Sequence, residues 1–247
     1  MIYYIGNNIF EYEGVENASI DKCVEYCKSK SILGLDIETS RKYNKGLYRE
    51  INYLPGLDPF LSRIIMLQIG DLDNQFIIDT RVIDISSLKP IIENIKILKV
   101  GHNLKFEAIH LKHNYDFNMK NIHDTMICER ILYNGEKRGY SLEACAKKHL
   151  KIKVNTTEKI DLFRQNEFEV FNDDFNDELE YIEVNKNIRN DFSEWQDKPF
   201  TLDQIKYGTD DIIMPLQLYY IQIQGRIINE ELYLPIKAFN LENKIVL

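Results

Sequence analysis

The segment of residues 32–37 constrains the fold of this chain most, because it is apolar at every position except Asp36. A short, almost uninterrupted apolar run is typical of a strand that is buried on both faces of a sheet. We therefore predict a central strand whose C-terminal end carries Asp36 and Glu38. Because side chains two residues apart in a strand point to the same face, these two carboxylates are expected to converge.

The rest of the chain alternates between strand-like and helix-like patterns. Alternation and apolar runs predict a β-hairpin within residues 1–13 and further strands at 63–70, 75–79 and 96–100. Helices are expected at 19–30, 87–94, 103–113, 124–133 and 141–149, and a last one begins at Thr201. The expected caps are Asn103, Asp124, Ser141 and the capping-box pair Thr201 and Gln204. This order of elements predicts an α/β fold with a mixed sheet.

The composition is that of an ordinary globular chain and excludes several classes of protein. The 247 residues carry a net charge of −8, which excludes binding driven by bulk positive charge. A metal-loaded cleft would still supply local positive charge to a nucleic acid. The four cysteines form no C-x-x-C pair, no apolar run approaches the length of a membrane span, and the N-terminus lacks a secretory signal. We therefore expect a cytoplasmic or other reducing intracellular location.

Two further features carry groups that could join Asp36 and Glu38. Glu107 lies one turn into the helix predicted after the strand at 96–100. Tyr207 and Asp211 are four residues apart in the last helix, so they share one helical face. Converging carboxylates make a hard oxygen site suited to Mg²⁺ or Mn²⁺. Taken singly, each feature is also compatible with a solvated acid or a structural hydrogen bond.

In chain order these residues fall into three motifs: Leu35-Asp36-Ile37-Glu38-Thr39, Gly101-His102-Asn103-Leu104-Lys105-Phe106-Glu107 and Tyr207-Gly208-Thr209-Asp210-Asp211. The set resembles the tyrosine-bearing branch of the DEDD superfamily of 3′–5′ exonucleases. That branch contains the proofreading domain of family-A DNA polymerases and RNase D. The resemblance spans about residues 30–225, and it implies an RNase H-like fold, in which helices flank a mixed five-stranded sheet.

The resemblance also implies a reaction, which is two-metal-ion hydrolysis releasing nucleoside monophosphates from a nucleic-acid 3′ end. By the family pattern, the catalytic residues are Asp36, Glu38, Glu107, Tyr207 and Asp211, and all of these except Tyr207 bind the two Mg²⁺ or Mn²⁺ ions. Substrate contacts are expected from Thr39, His102, Asn103, Phe106, Arg41 and Lys42. Single-stranded DNA is the favoured substrate, in a proofreading role beside a polymerase domain or partner. An RNase D-like exoribonuclease is the alternative.

Glu107 departs from the family pattern, which usually has aspartate at this position. The longer side chain moves the carboxylate by roughly 1 Å, a displacement that can cost about 10²-fold where geometry is tight. Three interpretations stay open: a working substitute, an impaired site, or a misaligned motif. An impaired site would make the chain a binding module for nucleic acid or protein rather than an enzyme.

The predicted organisation is one exonuclease domain over residues 1–225, with an acidic insertion at about 161–187. Residues 226–247 form a C-terminal extension that resembles the lead-in to a polymerase domain. The basic stretch at 137–159 and the cluster that follows Thr39 could contact phosphates, or they could be solvated loops.

Overall fold

The computed structural model describes residues 1–7, 9–41, 57–133, 139–151 and 199–227. The strands are β1 (Ile2–Ile5), β2 (Val15–Asn17), β3 (Ile32–Arg41), β4 (Ser62–Gly70), β5 (Gln75–Asp79), β6 (Leu98–Gly101) and β7 (Ile122–Asp124). The α-helices are α1 (Ile20–Lys28), α2 (Lys89–Ile92), α3 (Lys105–Tyr115), α4 (Thr125–Leu132), α5 (Leu142–His149) and α6 (Leu202–Ile227). A 3₁₀ turn at Ser86–Leu88 precedes α2.

The described strands form one mixed sheet in the order β2-β1-β5-β4-β3-β6-β7. Strand β4 is antiparallel to both of its neighbours, and the other pairs are parallel. The predicted α/β class is therefore confirmed. Strands β3 to β7 supply the expected five-stranded sheet, and β1 and β2 extend it beyond β5. The short strand β7 was not predicted.

The predicted hairpin at residues 1–13 is wrong, because β1 and β2 run parallel and β2 begins only at Val15. Between the two strands Phe10 is buried, and its ring lies 4.3 Å from that of Tyr4. The Asn17 side chain accepts a hydrogen bond from the Phe10 N–H and donates one to the Phe10 carbonyl. These two bonds satisfy the backbone polar groups of Phe10, as a neighbouring strand would. Contacts seven residues apart thus override the turn signal of Gly6 and Asn7.

Strand β3 does not end at Asp36 and Glu38 but continues to Arg41. Its antiparallel pairing with β4 holds it in place, with a register shift after Glu38. On the other side, β6 pairs with β3 only as far as Gly34. The stretch that carries Asp36 therefore has a strand neighbour on one side and is open to helices on the other.

Most of the predicted caps are confirmed. Asp124 accepts from the N–H groups of Met126 and Ile127 at the start of α4, and Ser141 caps α5. Thr201 and Gln204 exchange side-chain to backbone hydrogen bonds before α6, as a capping box requires.

The cap predicted at Asn103 is wrong. Asn103 has a φ of 67°, and α3 is preceded by Leu104, which makes no side-chain cap. The backbone N–H of Asn103 donates to Asp124 instead. The left-handed turn is thus held by a residue of the next strand rather than by the helix that it precedes.

Two apolar layers cover the sheet. The larger cluster packs on the face shared by α1, α2 and α3, and α6 covers the opposite face. Arg81 anchors the beginning of α6, since its guanidinium pairs with Asp79 and lies 4.0 Å from the Phe200 ring centroid. In the part of the chain that is described, no helix has both the length and the apolar character needed to cross a bilayer.

Candidate active site

Three carboxylates from two distant parts of the sequence meet at one cavity. Asp36 and Glu38 extend from β3 and Asp211 from α6, and each offers an oxygen within 4.8 Å of the other two. The cavity is also lined by Ile37, His102, Phe106, Glu107, Leu142 and Tyr207. The structure therefore brings together all five residues predicted to be catalytic.

The meeting of Asp36 and Asp211 depends on how closely α6 lies on β3. Gly34 shares the face of Asp36, and a Cβ atom there would overlap the Ile212 side chain. At Gly208 a Cβ would lie 3.0 Å from Gln68 Cγ on the neighbouring strand β4. The two glycines let the helix backbone approach the sheet, and this approach places Asp211 beside the β3 acids.

Glu107 reaches the carboxylates from the first turn of α3 and is buried at 4% exposure. Burial, together with the charges of Asp124 and Glu38, raises the pKa of this carboxyl well above its ordinary value, although hydrogen bonds from its own backbone N–H and with Asp36 oppose the shift. Its Oε2 atom is buried and has no hydrogen-bond partner. The motif is thus aligned with the cavity, and burial favours the protonated form of Glu107.

Tyr207 stands one helical turn before Asp211 and forms a hydrogen bond with it. Burial, reinforced by the charges of Asp211, Glu38 and Asp36, raises the pKa of the phenol well above its ordinary value. The hydroxyl therefore stays protonated at neutral pH. It can orient a polar group in the cavity, but it cannot act there as a base.

The donor set fits a hard divalent cation. Carboxylate oxygens are the ligands that Mg²⁺ and Mn²⁺ prefer, and Asp36, Glu38 and Asp211 offer them at mutual distances that one ion could span. The unpartnered Glu107 oxygen adds a further acceptor at the same cavity. Positive charge would also relieve the repulsion that raises the pKa values of Glu107 and Tyr207.

The predicted substrate contacts fall in three groups. Phe106 and His102 line the cavity, whereas Asn103 is exposed on the turn before α3 and Thr39 follows Glu38 beyond the shift in register. The Arg41 side chain and Lys42 lie outside the described residues, as do residues 152–198 and 228–247. The acidic insertion, residues 152–159 of the basic stretch and most of the C-terminal extension therefore stay predictions.

His102 is engaged by the protein through both ring nitrogens. Nε2 donates to the Tyr140 carbonyl at 2.8 Å, and Nδ1 lies 2.9 Å from the Thr125 hydroxyl oxygen. The ring thereby ties the segment before α5 to the start of α4. The substrate contact predicted for His102 stays a prediction.

Three residues near the site were not predicted. Ile37 and Leu142 give the cavity its apolar walls, and Gln68 lies buried in β4 opposite Asp36. Gln68 did carry a sequence signal, since it is the only polar residue in the run from Ile64 to Ile69. Leu142 had none, because an apolar residue at the start of a helix usually serves the core.

Comparison with known proteins identifies the family of this arrangement. Residues 54–166 match the model of the 3′–5′ exonuclease family. Over this range the chain is similar to 3′–5′ exonuclease domains. The predicted resemblance is thereby confirmed, and so is the enzyme class. Of the predicted catalytic residues, only Glu107 lies inside the matched range. A search of curated protein sequences found no match.

Solved structures share the fold of the exonuclease domain at low sequence identity. Brucella melitensis NrnC with bound Mg²⁺ is 13% identical with a TM-score of 0.57, over 99% of this chain and 91% of that one. The catalytic core of RRP6 from Trypanosoma brucei is 14% identical with a TM-score of 0.62, over 97% and 51%. Escherichia coli RNase D, an exoribonuclease, is 12% identical with a TM-score of 0.57, over 92% and 49%.

Proposed function

We propose that this exonuclease hydrolyses the terminal phosphodiester of a nucleic acid strand with two divalent cations, Mg²⁺ or Mn²⁺, and releases nucleoside monophosphates. The observation that carries the proposal is the convergence of Asp36, Glu38 and Asp211 within 4.8 Å. Such a cluster of like charges is costly unless cations bind there. Its two sources, a central strand and a late helix, make chance proximity a poor explanation.

In this mechanism Asp36, Glu38, Glu107 and Asp211 would hold the cations. Bound cations supply the positive charge that binds the phosphodiester and lowers the pKa of the attacking water. The protonated Tyr207 hydroxyl, fixed by Asp211, orients that water through a hydrogen bond. Phe106 and Leu142 offer apolar surface to the terminal base or sugar. Bound cations would favour the charged form of Glu107, because they would offset the cost of burying its charge.

The direct test is shortening of a labelled single strand in Mg²⁺ or Mn²⁺, with a chelator as the blank. The double variant Asp36→Ala/Glu38→Ala should lose at least about 10³-fold in rate, since it removes both β3 ligands. Asp203→Asn is the matched control, because Asp203 is an exposed acid in the first turn of α6. Equal rates for the double variant and the wild type would contradict the proposed chemistry.

Single-stranded DNA is the substrate that we propose first, because residues 57–68 resemble the approach to the second strand in polymerase exonuclease domains. A proofreading role beside a polymerase domain belongs to this proposal. The competing candidate is an RNase D-like exoribonuclease, which is favoured by the shared fold with RNase D. NrnC has also been solved with bound pGG. Matched DNA and RNA oligonucleotides of one sequence separate the two candidates, since faster RNA degradation would reject the DNA proposal.

The substitution Glu107→Asp distinguishes an impaired site from one in which Glu107 is a working substitute. If Glu107 cripples the site, Glu107→Asp should restore shortening of the strand by about 10²-fold. If Glu107 is a working substitute, the same change should lower the rate, because it withdraws the carboxylate from the cavity that it lines. Binding of a labelled oligonucleotide, measured in parallel, separates lost catalysis from lost affinity.

A further inference from the structure

The side chain of Gln68 is buried, but its polar atoms form no hydrogen bonds. It is 0% exposed, and neither its amide oxygen nor its amide nitrogen has a hydrogen-bond partner. In the described part of the chain it is the one side chain that leaves two buried polar atoms unmatched. Each such atom carries a desolvation cost that an apolar side chain of the same size would avoid. A role beyond packing would explain a glutamine here.

The position of Gln68 links it to both sources of the carboxylate cluster. Gln68 pairs directly with Asp36 across β3 and β4, so the two side chains share one face of the sheet. The same side chain lies beneath α6, where Gln68 Nε2 would be 3.1 Å from a Cβ on Gly208. Gly208 is adjacent to Tyr207 and three residues before Asp211. The amide therefore sits between the strand and the helix that supply the acids.

A second buried glutamine, Gln222, provides a comparison, because the hydrogen bonds of its amide are all made within the protein. Gln222 is 2% exposed, and its Nε2 donates to the Thr125 carbonyl at 2.9 Å and to Glu129 at 3.1 Å. Its Oε1 lies 3.0 Å from His123 Nε2. Both of its amide atoms are satisfied within the protein. Gln68 differs in that neither of its amide atoms has a hydrogen-bond partner within the protein.

We propose that Gln68 is a positioning residue for the metal site, and this inference rests on the proposed function. With cations held by Asp36 and Asp211, the Gln68 amide nitrogen would donate a hydrogen bond to the carboxylate of Asp36, which lies opposite it in the sheet. The amide then fixes the spacing between β3 and α6 at the loaded site. This hydrogen bond would give the buried amide a partner that the rest of the described protein does not supply.

The experiment measures cation binding rather than activity. Mn²⁺ is titrated calorimetrically into the metal-free wild type, Gln68→Met and Gln222→Met, and the melting temperature of each metal-free protein is recorded. Gln68→Met should raise the Mn²⁺ dissociation constant by about tenfold or more, as loss of a group that orients metal ligands does. Its metal-free melting temperature should equal or exceed that of the wild type, because two unmatched polar atoms are gone.

Gln222→Met should behave in the opposite way. It should melt at a lower temperature, because it leaves three partners unmatched, yet bind Mn²⁺ within about twofold of the wild type. Gln68→Asn retains the amide on a shorter arm and should bind Mn²⁺ with intermediate affinity. This variant keeps the inference testable if the methionine variant does not fold.

The Mn²⁺ titrations distinguish a failure of the Gln68 inference from a failure of the proposed function. Wild-type affinity for Mn²⁺ in both Gln68 variants would overturn the positioning role and leave the proposed metal site intact. Absence of Mn²⁺ binding by the wild type, equal to that of Asp36→Asn, would overturn the proposed function and the role of Gln68 together.

Discussion

Gly34 of β3 lies directly beneath Ile212 of α6, with no room for a side chain between them. A Cβ on Gly34 would overlap Ile212 Cγ2 and would lie 3.2 Å from the Ile212 carbonyl oxygen. This contact fixes the height of α6 above the sheet one residue after Asp211. The separation between the Asp36 and Asp211 carboxylates is therefore set by the absence of a side chain two residues before Asp36.

Gly34→Ala should consequently damage the site although it removes no ligand. We expect a loss of about 1 to 3 kcal/mol in the free energy of unfolding, as for overpacking of a filled core. The rate of strand shortening should fall by at least about tenfold, because α6 must move away from β3. Urea unfolding and a nuclease assay measure the two effects.

Gly139→Ala serves as the control for Gly34→Ala. A Cβ at Gly139 would make only an ordinary contact of 3.4 Å with Ala144, so stability should change by less than about 0.5 kcal/mol. Unchanged activity in Gly34→Ala would show that the carboxylates tolerate a displaced helix.

Tyr207→Phe should lower kcat on the order of 10²-fold and leave KM within about twofold. The hydroxyl orients the attacking water in the proposed mechanism, whereas the ring, which the variant retains, supplies packing. Tyr219→Phe is the matched control on the same helix, where the ring packs edge-on against His123. Steady-state kinetics on one oligonucleotide would decide, and a rise in KM at constant kcat would assign Tyr207 to substrate binding instead.

Glu107→Gln should stabilise the metal-free protein in a pH-dependent way. Because the folded pKa of Glu107 lies above its ordinary value, the folded state binds more protons than the unfolded state once the pH exceeds that ordinary value. The stability contributed by this proton is present at acid pH and is lost as the pH rises. Glutamine has no such loss, so the gain over the wild type should grow from pH 5 to pH 8.

The expected gain at pH 8 is about 1 to 3 kcal/mol, comparable to the cost of a buried unsatisfied polar group. Chemical unfolding with a chelator present measures it at each pH. Saturating Mn²⁺ should reverse the order of stability, because cation binding then favours the carboxylate. A gain that is equal at both pH values would contradict the assigned electrostatic cause.

Lys99 provides a pH effect away from the site. It is 0% exposed in β6 and donates to the carbonyls of Asn94 and Ile97, and burial lowers its pKa to about 7. Between pH 7 and the ordinary lysine pKa, the unfolded state therefore binds more protons than the folded state. The wild type should gain stability relative to Lys99→Met as the pH rises through this window, by at most about 1.4 kcal/mol per pH unit.

Matched urea titrations of the wild type and Lys99→Met at pH 6, 8 and 9.5 test this expectation. Because both proteins share every other titrating group, their difference isolates Lys99. A difference that does not change with pH would mean that the lysine keeps its proton in the folded state.

The sequence by itself determined the features that depend on residues close together in the chain. The caps at Asp124, Ser141 and Thr201 follow from side chains that bond backbone groups two or three residues away. The order of the motifs also predicted which acidic side chains would meet. In this family pattern, the central strand and the late helix bring their acidic residues to the same edge of the sheet.

Tertiary structure decided whatever depends on residues far apart in the chain. The left-handed turn at Asn103 is held by Asp124, and the parallel course of β1 and β2 follows from burial of Phe10 against Tyr4. The role proposed for the buried amide of Gln68 depends on its position between Asp36 and α6, which only the folded chain creates. No local pattern carries such information, because the free energy of each contact is realised only once the chain has brought both partners together.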